Sequence, residues 1–428
     1  MELGFDRDVQ PRAALPDRPN VLFILADQHR FDAVGCYGDN RVKTPNLDRL
    51  AAHGVRFENC YTPQSVCTPC RASILTGRYP HDHRLTRNVY DVPTVFGDPQ
   101  YDLEPNWPRM LQQAGYVTGY IGKWHMGDDN PGFFNDWQGY NSLKPHWLGE
   151  PDASPYRADV ETDAGIAFLE KHRDEPFVLC QSYYPPHTPF TAPKRFHERY
   201  EDSGLEPMAY YAAVSAIDEN VGRLLAKLEA LGLRERTVVI YTSEHGETFG
   251  RRPGGRHKTV CYEESAKVPL ILSAPSRLPG GRVHDSGVTS CSIMPTILEL
   301  SGVPVPDDLH GPSLVGRLHT GSDNWSEPVF IQNLPGAGIN GGTAVERAVR
   351  TRRWKLITRL LEKDGETPPY ELYDLNADPN ETRNLFYDRG FGNVVRRHCR
   401  LLESWGYRVN DPVAVRLARA AGAQAGSE

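Results

Sequence analysis

Asn20–Ala26 reads NVLFILA, and Asp27 and Gln28 follow at once. A run that short and that apolar has no polar face to offer water. It fits a strand covered on both sides, as in a central parallel sheet. The pattern recurs at Val117–Ile121, Phe177–Ser182, Val238–Thr242 and Val268–Leu272. Helical patterns fall between these runs. Thr44-Pro45 opens a helix through Ala52, and Gly54 stops it: a cap, a first-turn proline and a terminal glycine. Asp159–His172 and Met208–Leu231 read as longer helices. Strands alternating with helices predict an α/β fold, a large, mostly parallel central sheet flanked by helices.

From about residue 335 the pattern changes. Val345–Thr358 and Tyr370–Tyr373 read as short strands, Asp378–Leu385 as a turn-rich stretch, and Val394–Trp405 and Pro412–Ala421 as helices. We divide the chain into a large α/β domain, residues 1–334, and a small C-terminal α+β subdomain, residues 335–428. The formal charge of -7 argues against a nucleic-acid partner. No run reaches the roughly 18 apolar residues of a membrane helix. Met1–Asn20 is polar and does not look like a signal peptide, so a cytoplasmic location is the expectation. Eight cysteines are scattered, unlike a small disulfide scaffold. Cys180 and Cys291 lie among apolar residues and read as core. Cys67 and Cys70 form a CxxC, but no second pair completes a zinc site.

In open α/β sheets ligands bind at the carboxyl ends of strands. The residues just past the strands are Asp27-Gln28, Lys123 and His125, His187, and Glu244-His245. Any one of them alone could be a cap or a surface group; several on one sheet edge point to a site. Asp27, Gln28, Glu244 and His245 offer oxygen ligands and one imidazole, a set suited to a hard divalent cation. Such an ion would neutralise and polarise an anionic substrate. Cys67-Thr68-Pro69-Cys70-Arg71 precedes an expected helix at Arg71–Leu75, where a nucleophile would feel positive potential. From the residues alone, a reactive thiolate and a buried structural cysteine both stand.

The stretch VCTPCRASILTGRYPHDH resembles the signature of the type I, formylglycine-dependent sulfatases of the alkaline phosphatase superfamily. In that family Cys-x-Pro-x-Arg is oxidised to formylglycine. NVLFILADQ, KTPNLDRLAAHGVRFENCY, GYIGKWHMG, PPHTPF, TSEHGE, HKTVCYEESAKVPLIL and ELYDLNADPNETRNL resemble further family blocks in the family's order, so the likeness spans nearly the whole chain. The resemblance implies a sulfuric ester hydrolase acting on a small sulfated substrate. Cys67 would be matured by a formylglycine-generating enzyme. Asp27, Gln28, Glu244 and His245, with residue 67, would hold one divalent metal, calcium preferred over magnesium or manganese. Arg71 and Lys123 would anchor the modified side chain and the sulfate. His125 would be the base that releases sulfate. His187 and Lys258 would face the bridging oxygen, with His187 favoured as proton donor.

Three positions depart from the family pattern. Gln28 stands where a second acid is usual, Glu244 where aspartate is usual, and Cys70 where serine is common. A Cys67–Cys70 disulfide would block maturation. The Asp-Gln and Glu-His pairs and Asn88 also resemble phosphonate monoester hydrolases and phosphodiesterases on the same scaffold, whereas Lys123 and His125 in GKWH resemble sulfatases. A catalytically silent binding protein is the reading from another class, and the retained site residues speak against it. Substrate contacts are expected from the loops Thr86–Pro105, Asp128–Pro155, Thr248–Arg256 and Asn333–Gly342. Within them Asn88 is a candidate substrate contact, and Arg251, Arg252 and Arg256 either form a solvated basic loop or meet a second anionic group; Trp124, Trp137 and Trp147 either stack on a ring or pack in the core.

Overall fold

The computed structural model describes residues 18–276, 278, 280–320, 325, 327–334, 345–360 and 368–425. The larger sheet contains β1 (Asn20–Ala26), β2 (Val55–Tyr61), β3 (Val117–Lys123), β4 (Asp136–Tyr140), β5 (Phe177–Tyr183), β6 (Thr237–Ser243), β7 (Lys267–Ser273) and β8 (Arg282–Thr289). Their order is β4-β3-β5-β1-β6-β7-β2-β8. Every residue of β1, β5, β6 and β7 is buried. Alternate residues of β1 serve opposite faces: Val21, Phe23 and Leu25 join one core cluster, while Leu22, Ile24 and Ala26 join the other. That two-sided burial is why the strand has no polar alternation.

The sheet is mixed, mostly parallel. β1 runs parallel to β5 and β6, β3 to β4 and β5, and β2 to β8. β7 runs antiparallel to both β6 and β2. Its direction could not be read from Val268–Leu272, because an apolar run looks the same in either orientation. β2, β4 and β8 carry more polar residues and escaped the sequence reading. The edge strand β4 is only partly buried along its length.

A second, antiparallel sheet has the order β12-β11-β10-β9, built from β9 (Val329–Asn333), β10 (Val345–Arg350), β11 (Trp354–Leu360) and β12 (Tyr370–Asp374). The short strands expected in Val345–Thr358 form a hairpin, β10 pairing with β11, which runs on to Leu360. Helices Gly392–Arg408 and Pro412–Gln424 pack on it through Val395, Leu402, Trp405, Ala414 and Ala421. Asp411 caps the latter helix, accepting from the N–H groups of Val413 (3.1 Å) and Ala414 (3.2 Å). The other face of this sheet meets Val260, Cys261 and Tyr262 through Ile331, Ala348, Ile357 and Tyr373. Buried Lys355 adds ion pairs to Glu263 (3.0 Å) and Glu381 (2.8 Å). The second sheet therefore backs the segment that follows Lys258. Among the described residues no helix is long and apolar enough to cross a membrane.

Candidate active site

Four adjacent strands, β3-β5-β1-β6, deliver side chains to one edge of the large sheet. Gln28, just past β1, adopts φ +66°, and its carbonyl accepts from the Tyr210 hydroxyl at 2.8 Å. At the end of β3 the Lys123 carbonyl accepts from Arg71 Nη1, from the Tyr120 hydroxyl (2.6 Å) and from Ser182 Oγ (2.7 Å). Beyond β6, His245 Nδ1 lies 2.8 Å from the Gly246 carbonyl, which directs Nε2 inward. The expected helix begins earlier than predicted. It spans Cys67–Thr76, so Cys67 is its first residue, and all ten residues are buried. Side-chain periodicity could not show this, because no face of the helix is exposed and its polar residues are buried with the rest.

Ligand atoms of Asp27, Cys67, Glu244 and His245 all lie within 4.8 Å of one another. Cys67 Sγ is 3.4 Å from His245 Nε2 and 3.8 Å from Asp27 Oδ1. Lys123 Nζ pairs with Asp27 and stands 3.7 Å from Cys67 Sγ. Lys258 Nζ is 3.3 Å from Cys67 Sγ, 3.1 Å from Gln28 Oε1, 3.1 Å from His187 Nε2 and 3.4 Å from His245 Nε2. Arg71 pairs through Nε with Glu244 and lies 3.9 Å from Asp27. Two carboxylates thus face three fixed cations, an arrangement that attracts an anion.

Burial alone would raise the Asp27 pKa, but Lys123 and its neighbours hold it well below the usual carboxylate range. Burial, then Lys258, drives His187 well below the ordinary histidine value. Burial, then Lys123 and Arg71, does the same to His125. Burial opposes the charge on Lys258, yet Cys67 and Asp27 outweigh it and raise its pKa. Burial and the Lys258 ammonium, 3.1 Å from Nε2, thus disfavour a proton on His187. The sequence expectation favoured His187 as donor because imidazole ordinarily titrates near neutrality; this contact makes Lys258 the alternative donor. Burial and Lys258 also act against His245, but Cys67 and Glu244 prevail and push it up to about 9.

The donor set fits a hard divalent cation. Both Glu244 oxygens are buried without a hydrogen bond, compensated only by ion pairs with Arg71 and His245. Asp27, Glu244 and the side-chain amide oxygen of Gln28 add oxygen, with one imidazole nitrogen, as such ions prefer. His125 is buried with neither ring nitrogen hydrogen-bonded, its ring 5.3 Å from that of Tyr90.

The loop candidates fare differently. Asn88 Oδ1 accepts from the Thr68 N–H at 3.0 Å, so it caps the first turn of the Cys67 helix. The expectation for Arg252 is corrected: it binds Glu264 (2.8 Å) and the carbonyls of Asn380 (3.0 Å) and Glu381 (3.2 Å), pinning its loop to the C-terminal region. Arg251 is exposed, leans over the Phe249 ring and points to the Glu206 carbonyl at 3.4 Å. Arg256 is half-buried on the same loop. Trp124 and Trp147 are buried and Trp137 packs against the same core as Trp124, so the core reading holds for these rings. Residues 335–342 of the loop Asn333–Gly342 lie outside the described residues. Cys67 and Cys70 are both free thiols, and Cys70 Sγ takes a hydrogen bond from Thr62 Oγ1 at 2.9 Å.

Sequence reasoning passed over Tyr120, Ser182, Tyr184 and Glu247. Tyr120 and Ser182 sit inside runs read as core, with no signal that they bind the Lys123 carbonyl. The Tyr184 ring lies 4.3 Å from Lys123 Nζ. Glu247, in TSEHGE, is buried and bonded to Gln28.

Comparison with known proteins places these features in context. Residues 19–303 match the sulfatase family model, and residues 254–405 match the C-terminal model of N-sulphoglucosamine sulphohydrolase. N-acetylglucosamine-6-O-sulfatase of Bacteroides thetaiotaomicron is 28% identical over 515 residues, covering 94% of this chain and 89% of that protein. A structure solved in complex with its substrate D-glucosamine-2-N,6-O-disulfate superposes with a TM-score of 0.77 at 26% identity, covering 92% of this chain and 98% of that one. The phosphonate monoester hydrolase of Agrobacterium radiobacter shares the fold, with a TM-score of 0.75 at 22% identity and coverage of 92% and 96%.

Proposed function

The chain belongs to the sulfatase family and is a sulfatase, and from that premise we propose that it hydrolyses a sulfate monoester of a sugar, using formylglycine at position 67 beside a divalent cation. The observation that carries this reading is the convergence of Cys67 with Asp27, Gln28, Glu244, His245 and three cations in one cluster. The sugar comes from the relatives named above, one a sulfatase of N-acetylglucosamine and one bound to a sulfated glucosamine.

Cys67 Sγ stands where a formylglycine hydroxyl would stand. A formylglycine hydrate, made by a formylglycine-generating enzyme, would supply one hydroxyl, its proton lost to solvent, to attack sulfur and a second to expel sulfate afterwards. A cation held by Asp27, Gln28, Glu244 and His245, calcium by preference and magnesium or manganese otherwise, would offset charge on residue 67 and on a sulfate oxygen. Lys123 is a fixed charge for the sulfate, its ammonium held by Asp27 and set over the Tyr184 ring. Arg71 ties Glu244, Asp27 and the Lys123 carbonyl into one frame. As the bond from sulfur to the alcohol oxygen breaks, Lys258 gives that oxygen its proton, and His187 orients Lys258 from 3.1 Å. Neutral His125 then accepts the proton of the remaining hydroxyl as sulfate departs.

Phosphonate ester cleavage is the second reading, favoured by Gln28 and by the shared fold. Turnover of glucosamine 6-sulfate and of a phenyl phosphonate ester by the formylglycine-bearing protein separates the two. Higher kcat/KM on the sulfate supports the proposal; a preference for the phosphonate ester overturns it.

A further inference from the structure

Glu247 is fully buried, lies outside the four-residue ligand cluster, and has its carboxylate against the Gln28 amide. Building on the metal site proposed above, we infer that Glu247 is a positioning residue that makes Gln28 a ligand and supplies the charge Gln28 lacks. The two ends of the Gln28 amide have different partners. Its Nε2 donates to Glu247 Oε2, while its Oε1 accepts from Lys258 Nζ at 3.1 Å. A carboxylate can only accept, so it fixes the amide with its nitrogen turned away and its oxygen towards the cluster.

Glu247 is itself held firmly. Its Oε1 accepts from the Phe249 N–H at 2.6 Å and lies 2.9 Å from His257 Nδ1, and its carbonyl accepts from Arg30 Nη1 at 2.6 Å. The backbone of Gln28 is equally constrained, at φ +66° with its carbonyl on the Tyr210 hydroxyl. A negative group on the amide N–H increases the electron density of the amide oxygen, as an outer carboxylate does for a ligating imidazole. The candidate ligands themselves contain two carboxylates, Asp27 and Glu244; Glu247 is a third negative charge, placed one hydrogen bond behind the ligand. Glutamine at position 28 and glutamate at position 247 thus act as one unit.

The test is Mn2+ affinity, read by electron paramagnetic resonance and calorimetry on the whole protein, for wild type, Asp27→Asn, Glu247→Gln, Gln28→Asp and the double variant Gln28→Asp/Glu247→Gln. Urea unfolding in chelator verifies that each variant is folded. Glu247→Gln should weaken binding by about 10- to 100-fold. The double variant, with the charge moved onto the ligand and an amide behind it, should recover most of that loss. Gln28→Asp alone sets two carboxylates against each other and should bind no tighter than wild type. Wild-type affinity in folded Glu247→Gln, or a double variant as weak as that single variant, overturns the inference. Failure of wild type to bind Mn2+ more tightly than Asp27→Asn would overturn the metal site itself, a separate result.

Discussion

Removing the Lys258 ammonium should cost most on substrates whose leaving alcohol most needs a proton. Lys258 is the only described cation that touches both Cys67 Sγ (3.3 Å) and His187 Nε2 (3.1 Å), and its pKa is raised while that of His187 is depressed. General acid assistance is worth about 100- to 10,000-fold. At about 1.4 kcal/mol per tenfold, that is roughly 3–6 kcal/mol of barrier. A nitrophenolate leaves without a proton, whereas a sugar alkoxide does not. Lys258→Ala should therefore lose about 100- to 10,000-fold more kcat/KM on a sugar sulfate than on nitrophenyl sulfate, over a loss of fixed charge common to both. His187→Ala should lose activity more evenly across substrates, because the neutral imidazole orients the ammonium. The assay is kcat/KM over sulfate esters of graded leaving-group acidity. A flat profile for Lys258→Ala with a steep one for His187→Ala would refute the assignment and return the proton to His187.

Asp27→Asn and Glu244→Gln should each lose bound divalent metal and turnover together, since they remove the two carboxylates of the ligand cluster; full metal occupancy by elemental analysis in either variant would contradict the site. In the unmodified protein, metal must displace the proton that His245 holds up to about pH 9, so apparent affinity should fall about tenfold per pH unit below that value and level off above it; a pH-independent titration between pH 6 and 8 would be inconsistent with His245 as a ligand. Arg252→Ala should lower stability by about 2 kcal/mol in urea unfolding, through the lost bonds to Glu264 and to the 380–381 carbonyls, while KM holds; a raised KM with unchanged stability would make Arg252 a substrate contact after all.

Much of the fold was legible because two-sided burial leaves a plain trace. β1 and the helix Pro45–Ala52 fall where NVLFILA and the Thr-Pro…Gly punctuation placed them. The antiparallel course of β7 left no trace, since direction depends on the connection and not on side-chain polarity. The strand-end groups Asp27, Lys123, Glu244 and His245 were legible because each interrupts an apolar run. His187 was legible as a residue past a strand, whereas Lys258 came only from family resemblance, and the contact between them, which lowers the pKa of the imidazole, left no trace in the sequence. Arg252 misled because a basic loop looks the same whether its arginine faces a ligand or the carbonyls of a distant turn. Nor does any spacing announce the partner of Asn88, the Thr68 N–H at the start of the Cys67 helix.

The most direct test of the account joins chemistry at position 67 to sulfate release. The protein is co-produced with a formylglycine-generating enzyme, the tryptic peptide containing residue 67 is analysed by mass spectrometry, and sulfate release from glucosamine 6-sulfate is measured on the same sample and on Cys67→Ala. The account predicts the aldehyde or its hydrate at residue 67, sulfate release in proportion to its occupancy, and no release from Cys67→Ala. Turnover that is independent of that occupancy, or that survives in Cys67→Ala, would contradict it.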